Sequence, residues 1–236
     1  MRILGIDSSG LVASVAIWED DVIIGEYTTN FKKTHSQTLL PMLDELKHMI
    51  ELDMETIDAI AVAGGPGSFT GLRIGSATAK GLGLALNVPI ISVPTVEALA
   101  YNLWGAAADV CPLMDARRNQ TYTGVYRFEN GEMKTITPQC AVDVGEILDA
   151  INQEGRSVIF LGDGVPVFAE QIKEQCRVPY TFAPAHMNRQ NAAALCARAR
   201  EYFLAERIET AAAHRPDYLR LSQAERERLE RQEGQA

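Results

Sequence analysis

The stretch AVAGGPGSFTGLRIGSATAKGLGLALN, residues 61–87, decides how the rest of the chain is read. Residues 58–63 form an apolar run that reads as a buried strand, and the run breaks at Gly64-Gly65-Pro66-Gly67. Beyond the break, Ser68 or Thr70 can cap a helix, because a short side-chain oxygen accepts the free amide hydrogens of the first turn. Gly71, Gly75, Ala79 and Gly83 then recur every four residues, so one ridge of that helix has almost no side chains. Glycine costs about 1 kcal/mol per helix position relative to alanine. Three glycines in register therefore point to close backbone approach. Strand, glycine loop and helix N-terminus together make a candidate anion cradle. The simpler reading is that the loop only lets a helix pack tightly on a sheet. The loop is neither GxxxxGK[ST] nor a strict GxGxxG, since its glycines fall at 65, 67 and 71.

Working outward, RILGID (2–7) is a short apolar strand that ends on Asp7 and turns through Ser8-Ser9-Gly10. Residues 12–18 alternate as a second strand, and 22–28 form a third after Glu19-Asp20-Asp21. A helix over 35–52 carries Leu39, Leu40, Leu43, Leu46 and Ile50 at three- and four-residue spacing, with Met42 and Met49 widening the stripe. After the central stretch come a strand (88–93) and a helix (95–104) behind Pro94; the small, polar 105–109 marks a domain boundary. The second half repeats the order. A strand (110–114) ends on Asp115, a turn and a strand (121–128) follow, and Glu129-Asn130-Gly131 signals a hairpin returning over 133–137. A helix (144–152), a strand (157–161), a second glycine turn at Gly162-Asp163-Gly164 and a helix (166–176) complete it. The shared pattern predicts two similar α/β lobes from a duplicated unit, residues 1–105 and 106–221. An Ala-rich helix over 188–208 either completes the second lobe or packs back across the first. The charged tail, 222–236, is expected to be a flexible, frayed helix.

At 236 residues the chain has room for one large domain or two smaller ones. The net charge is −9, and residues 1–100 hold six Lys/Arg against twelve Asp/Glu. Neither half is a basic platform, which argues against unaided tight RNA binding. MRILGIDSS reads as a strand, not a signal peptide, and no uncharged run approaches the ~20 residues that span a bilayer. Cys111, Cys140, Cys176 and Cys196 are scattered without a CxxC pair, which suits reduced thiols in a cytoplasmic protein.

Asp7, Ser8 and Ser9, with Asp115 in the second lobe, are placed as a nucleotide cleft between duplicated lobes would need them. Carboxylates would hold a hydrated metal, and small turn residues would let backbone amides meet phosphate. The second turn fits poorly, because Ala116-Arg117-Arg118-Asn119-Gln120 has no glycine and puts two long cations where phosphate needs clearance. The structural alternative is that both aspartates only end their strands. His35, His48, His186 and His214 form no HxxxH or HExxH pair; His35 and His48 are expected to be solvated. Ser68 is not in a GxSxG elbow. Arg73, in the first turn of the glycine-rich helix, stands where the dipole disfavours a cation, so it could answer an anion or a partner's carboxylate.

ILGIDSS at the N-terminus, HSQTLLPMLDEL at 35–46, GGPGSFTGLRIGSATAKGLGLAL at 64–86 and PDYLR at 216–220 together resemble the TsaB (YeaZ-type) family of bacterial tRNA threonylcarbamoyladenosine biosynthesis proteins, once grouped as glycoprotease-like. The resemblance covers residues 1–220. It implies two lobes of the actin-like ATPase (ASKHA, RNase H-like) fold, and a non-catalytic role beside the paralogue TsaD. TsaD carries two metal-binding histidines in a segment that here reads SVPTVEAL (92–99), where Thr95 and Leu99 take their places and cannot form that site. The implied function is to bind and activate TsaD, which joins threonylcarbamoyl-adenylate to the adenosine beside the anticodon. A TsaE-type ATPase is a further partner, tRNA is met only through the complex, and the chain alone is expected to be a homodimer. No cofactor or metal is expected beyond weak nucleotide binding at a vestigial cleft of Asp7, Ser8, Ser9 and Asp115. The helix faces proposed for the partner carry His35, Leu39, Met42, Leu43 and Leu46 on the 35–52 helix, and Gly71, Arg73, Ile74, Gly75 and Ala79 on the 70–87 helix. Two competing accounts remain: a stand-alone ATP-binding kinase or ATPase of the same fold, and a metalloprotease, which already fails for want of ligands.

Overall fold

In the computed structural model, residues 1–220 other than residue 32 are described; the charged tail expected from residue 222 lies outside them. β1 (Arg2–Asp7), β2 (Ala13–Glu19) and β3 (Val22–Thr29) form the antiparallel meander read from the alternating runs. β4 (Ala59–Gly65) and β5 (Ile90–Pro94) add in parallel, giving the order β3-β2-β1-β4-β5. The second half supplies β6 (Asp109–Asp115), β7 (Gln120–Glu129), β8 (Glu132–Asp143), β9 (Val158–Leu161) and β10 (Tyr180–Phe182). Their order, β8-β7-β6-β9-β10, and their directions reproduce the first sheet strand for strand. The β7–β8 turn holds Asn130 and Gly131 at φ of 53° and 81°, the left-handed pair that the hairpin signal demands.

Each sheet carries two helices on one face. On the first are α1 (His35–Met49) and α2 (Phe69–Leu86); on the second, α4 (Val144–Glu154) and α5 (Val165–Gln175). Leu39, Met42, Leu43 and Leu46 of α1 are buried among Leu4, Ile6, Val15, Ile17, Ile60 and Val62 of the sheet. Each such side chain gains about 1.5–3 kcal/mol from burial. This corrects the expectation that these four meet a partner: their apolar atoms are already spent on the chain's own core. Gly25 on β3 makes room for them, since a Cβ there would come within 2.7 Å of Leu46 Cδ1. Ser68 caps α2, its Oγ accepting from Gly71 N at 3.3 Å, and Asn87 closes the helix at φ 55°.

The remaining helices change places. α3 (Thr95–Tyr101) follows β5, yet its Val96, Leu99 and Ala100 pack with Val110, Met114 and Tyr126 of the second sheet. α6 (Ala192–Leu204) follows the second lobe, yet its Leu195, Cys196 and Ala199 pack with Ile3, Ala16, Ala59 and Ile91 of the first. Of the two positions open to the Ala-rich helix, it takes the one across the first lobe. The helix starts four residues later than expected because Asn191 caps it, accepting from Ala194 N at 2.9 Å. Where α3 and α6 cross, Glu97 accepts from Arg198 at 2.9 Å and from Tyr202 Oη at 2.6 Å.

Past α6 the chain runs back along β5 and α2 as a strap. Ile90 and Glu209 exchange backbone bonds at 2.9 Å, and Lys80 reaches the carbonyls of Ala212 and His214 at 3.1 and 2.9 Å. Asp217 N then donates to Gly64 O at 2.7 Å, and Arg220 to Ala116 O at 2.5 Å. The PDYLR stretch therefore ties the β4–α2 loop to the β6–β7 turn of the other lobe.

Candidate functional site

The glycine-rich loop and the end of β1 meet at one side of the inter-lobe cleft. Asp7 Oδ1 accepts from Ser9 N at 2.9 Å and from Ser9 Oγ at 2.6 Å, so the turn closes on its own carboxylate. Ser9 O accepts from Ser68 N at 2.7 Å, and Ser8 Oγ donates to Gly71 O at 2.8 Å. A side chain at Gly67 would strike the Ser9 carbonyl, and one at Gly71 the Ser8 carbonyl; at Gly75 a Cβ would stand 2.5 Å from Ser8 Oγ. The bare ridge of α2 is thus the seat of the β1–β2 turn. Two of the amides that an anion cradle would use are bonded within the chain, Ser68 N to Ser9 O and Gly71 N to Ser68 Oγ.

Asp7 is 1% exposed, and burial pushes its pKa up against the pull of the Ser9 hydrogen bonds and of the nearby His35. His35 is half-buried rather than solvated, one ring nitrogen lying 2.8 Å from Gly10 O. Across the cleft, Asp115 ends β6 as Asp7 ends β1. It accepts from Arg117 N at 2.8 Å and pairs with the Arg117 guanidinium at 3.2 Å. Arg117, Arg118 and Asn119 have φ of 64°, 56° and 60°, three left-handed residues in a row. Each costs roughly 1–2 kcal/mol in a side-chain-bearing residue, somewhat less for asparagine.

The space between the lobes here is a cleft of about 280 Å³ lined by Ser9, Gly67, Ser68, Asp115, Arg117, Tyr122 and Asp163. Ser9 and Asp115 face it, whereas Asp7 and Ser8 are packed behind it. Asp163 was not among the residues expected here. Its Oδ1 is buried with no hydrogen-bond partner among the described residues, and burial raises its pKa, opposed by the Asp115 backbone and then by Arg189. The signal was present in the repeat, since Gly162-Asp163-Gly164 precedes α5 as the glycine loop precedes α2. A pocket for a drug-sized ligand occupies about 300–1,000 Å³, so this cleft falls just below that range.

Thr95 and Leu99 are 0% and 1% exposed, locked into the packing of α3, and neither offers a metal ligand to the surface. His214 is wholly buried with Nδ1 2.6 Å from Glu209 Oε1, and pins the strap. On the helix layer, Gly71, Gly75 and Ala79 are buried on the inner side of α2, so they too are corrected from partner surface to internal packing. Ile74 is half-buried against the same core. Thr70, Arg73, Ala77, Gly81 and Leu84 are exposed instead, as are Leu40 and Pro41 of α1. The Arg73 guanidinium lies 3.8 Å over the Phe69 ring, and Phe69 stacks on Tyr218 at 4.8 Å.

Two sheets of one topology, each with an aspartate closing its first strand and a glycine turn opening its second covering helix, define a two-lobed protein of the actin-like ATPase class. A family described as "TsaD: tRNA N6-adenosine threonylcarbamoyltransferase" matches residues 23–228. The Bacillus subtilis tRNA threonylcarbamoyladenosine biosynthesis protein TsaB is 34% identical over 98% of this chain and 100% of its own length. The Escherichia coli protein of that name is 37% identical over 56% of this chain and 58% of its own. The structure of YeaZ from Pseudomonas aeruginosa superposes with a TM-score of 0.80 at 25% identity, covering 92% of this chain and 99% of that one. The chain belongs to the TsaB family of tRNA threonylcarbamoyladenosine biosynthesis proteins. No helix among the described residues is long and apolar enough to cross a membrane.

Proposed function

We propose that the chain is a non-catalytic subunit that binds and activates a TsaD-type threonylcarbamoyltransferase in the modification of tRNA beside the anticodon. One observation carries the reading. Gly81 lies in the middle of α2 on its outer side, and a Cβ built there meets nothing within 4 Å. A mid-helix glycine costs about 1 kcal/mol relative to alanine, and no internal contact repays it. Flanked by Ala77 and by Leu84, 62% exposed, it forms a shallow bed on which a helix of another subunit can lie closely. Tight closure of the Asp7 turn and the buried Thr95 and Leu99 support a role without chemistry of its own. The same face serves self-association when the chain is alone, and a TsaE-type ATPase joins the complex through its partner.

Gly81→Leu is therefore expected to keep or raise the thermal midpoint of the chain by itself while lowering its affinity for the catalytic paralogue at least tenfold in a pull-down. Equal affinity for both forms removes α2 from the interface. A stand-alone ATP-binding protein is the second reading, favoured by Asp115 and the unpartnered Asp163 oxygen in the cleft. Calorimetric titration with Mg-ATP decides it: no binding near millimolar and no turnover by the chain alone dismiss that reading.

A further inference from the structure

In a chain of net charge −9, four arginines gather at the mouth of the cleft. Arg220 donates to the carbonyl of Ala116, the residue before the Arg117-Arg118-Asn119 turn. Two residues back, Tyr218 stacks on Phe69, whose other contact is the Arg73 guanidinium. Arg117 has 86% of its side chain exposed, and Arg118 is exposed with no ion pair among the described residues. Among the acids nearby, Asp115 is paired with Arg117 and Asp163 has its Oδ1 buried, while Asp143 accepts from Asn119 and the exposed Asp217 accepts from Gln139 at 2.9 Å. In the turn itself the exposed charges are those of Arg117 and Arg118.

The turn is also firm. Ala116 N donates to Gln120 O at 2.9 Å, Gln120 N to Arg117 O at 3.2 Å, and Asn119 Nδ2 to Asp143 Oδ2 at 2.7 Å. A turn of this shape is ordinarily made from glycine, asparagine or aspartate. Only Asn119 fits that need. The Arg117 guanidinium pairs with Asp115 across the base of the turn while most of its side chain stays exposed, and Arg118 next to it is exposed as well.

We propose that the Arg117–Arg118 turn, with Arg220 and Tyr218 beside it, is an RNA phosphate-contacting surface, through which this subunit steadies the tRNA bound by the assembled complex. The proposal rests on the subunit reading above. Guanidinia suit paired phosphate oxygens, and a patch of two to four contacts is too small for binding by the chain alone, in keeping with its overall acidity.

The test uses the full chain in complex with its catalytic paralogue and an unmodified tRNA transcript. Arg117→Asn combined with Arg118→Asn preserves left-handed turn chemistry while removing both charges; Arg117→Lys with Arg118→Lys keeps the charges. Complex formation and tRNA affinity are measured separately, the latter across a salt series. The expected result is an intact complex whose tRNA affinity falls about fivefold or more in the asparagine form, with the log–log salt slope shallower by about 1–2 and both restored largely by lysine. An intact complex with unchanged tRNA affinity and slope overturns the proposal and leaves the subunit reading standing. Loss of complex formation in the asparagine form also overturns it, because the turn then contacts an acidic protein surface. If the wild-type chain itself forms no complex, both readings fall.

Discussion

Asp7 is a carboxyl group enclosed by its own turn, and the enclosure fixes the sign of its pH response. Burial raises its folded-state pKa above the ordinary value of 3.8. The neutral form therefore suits the fold better, and its contribution is complete below the unfolded pKa and lost as the pH rises through the folded one. Asp7→Asn keeps an oxygen that accepts both Ser9 bonds and carries no charge to bury. Between pH 4 and pH 7 its thermal midpoint is expected to fall less than that of the wild type; parallel profiles would show that Asp7 is not the group responsible. At this scale Asp7 and Asp115 could be read from the sequence as matched strand ends. What could not be read was which of them reaches open space. That depends on Ser8 and Ser9 folding onto Gly71 and Gly75, with Ser8 and Gly71 63 residues apart in the chain. Asp163 escaped notice for the related reason that one aspartate between two glycines has no ligand signature until the opposite wall is in place.

The helix layer shows what periodicity reveals and what it withholds. The spacing of Leu39, Leu43 and Leu46 announces a helix with an apolar stripe, and α1 is there. It says nothing of what the stripe covers, because a sheet of the same chain and a foreign helix present equally apolar surfaces to it. Here the sheet takes it, so Leu43→Ala should cost about 2–5 kcal/mol in urea unfolding. Leu40→Ala, at a position 54% exposed, should stay within about 0.5 kcal/mol. Comparable losses at both sites would contradict the orientation of α1. The same reasoning divides the glycines of α2: those at 71, 75 and 83 answer to atoms inside the fold, and the one at 81 does not.

Across the whole molecule, the two lobes are held by α3, α6 and the strap. Glu97 and Arg198 form the charged centre of that joint, with side chains 14% and 11% exposed. Removing one member of a buried pair leaves the other uncompensated, at about 3–5 kcal/mol, whereas replacing both by apolar groups is far milder. Because Arg198 also pairs with Glu201, it is Glu97 that is stranded when its partner goes, and Arg198→Leu is thus expected to lower stability more than Arg198→Leu combined with Glu97→Ala. Chemical denaturation of the two variants checks this, and a double variant no better than the single one would show the pair to be peripheral. The duplication was legible, since each half spells strand, aspartate, turn, strand, hairpin. The exchange of the last helices was not: the small residues Ala192, Cys196 and Ala199 on one face of α6 would fit either sheet.

That exchange has a consequence during synthesis. The face of the first sheet holding Ile3, Ala16, Ala59, Ile91 and Val93 is closed by α6, which is translated more than a hundred residues after β4. At about 5–20 residues per second, the face waits roughly 5–20 s for its cover as the ribosome moves on. The first lobe is made early and finished late, so a nascent chain stalled before Ala192 exposes an apolar surface that chaperones and other nascent chains can bind.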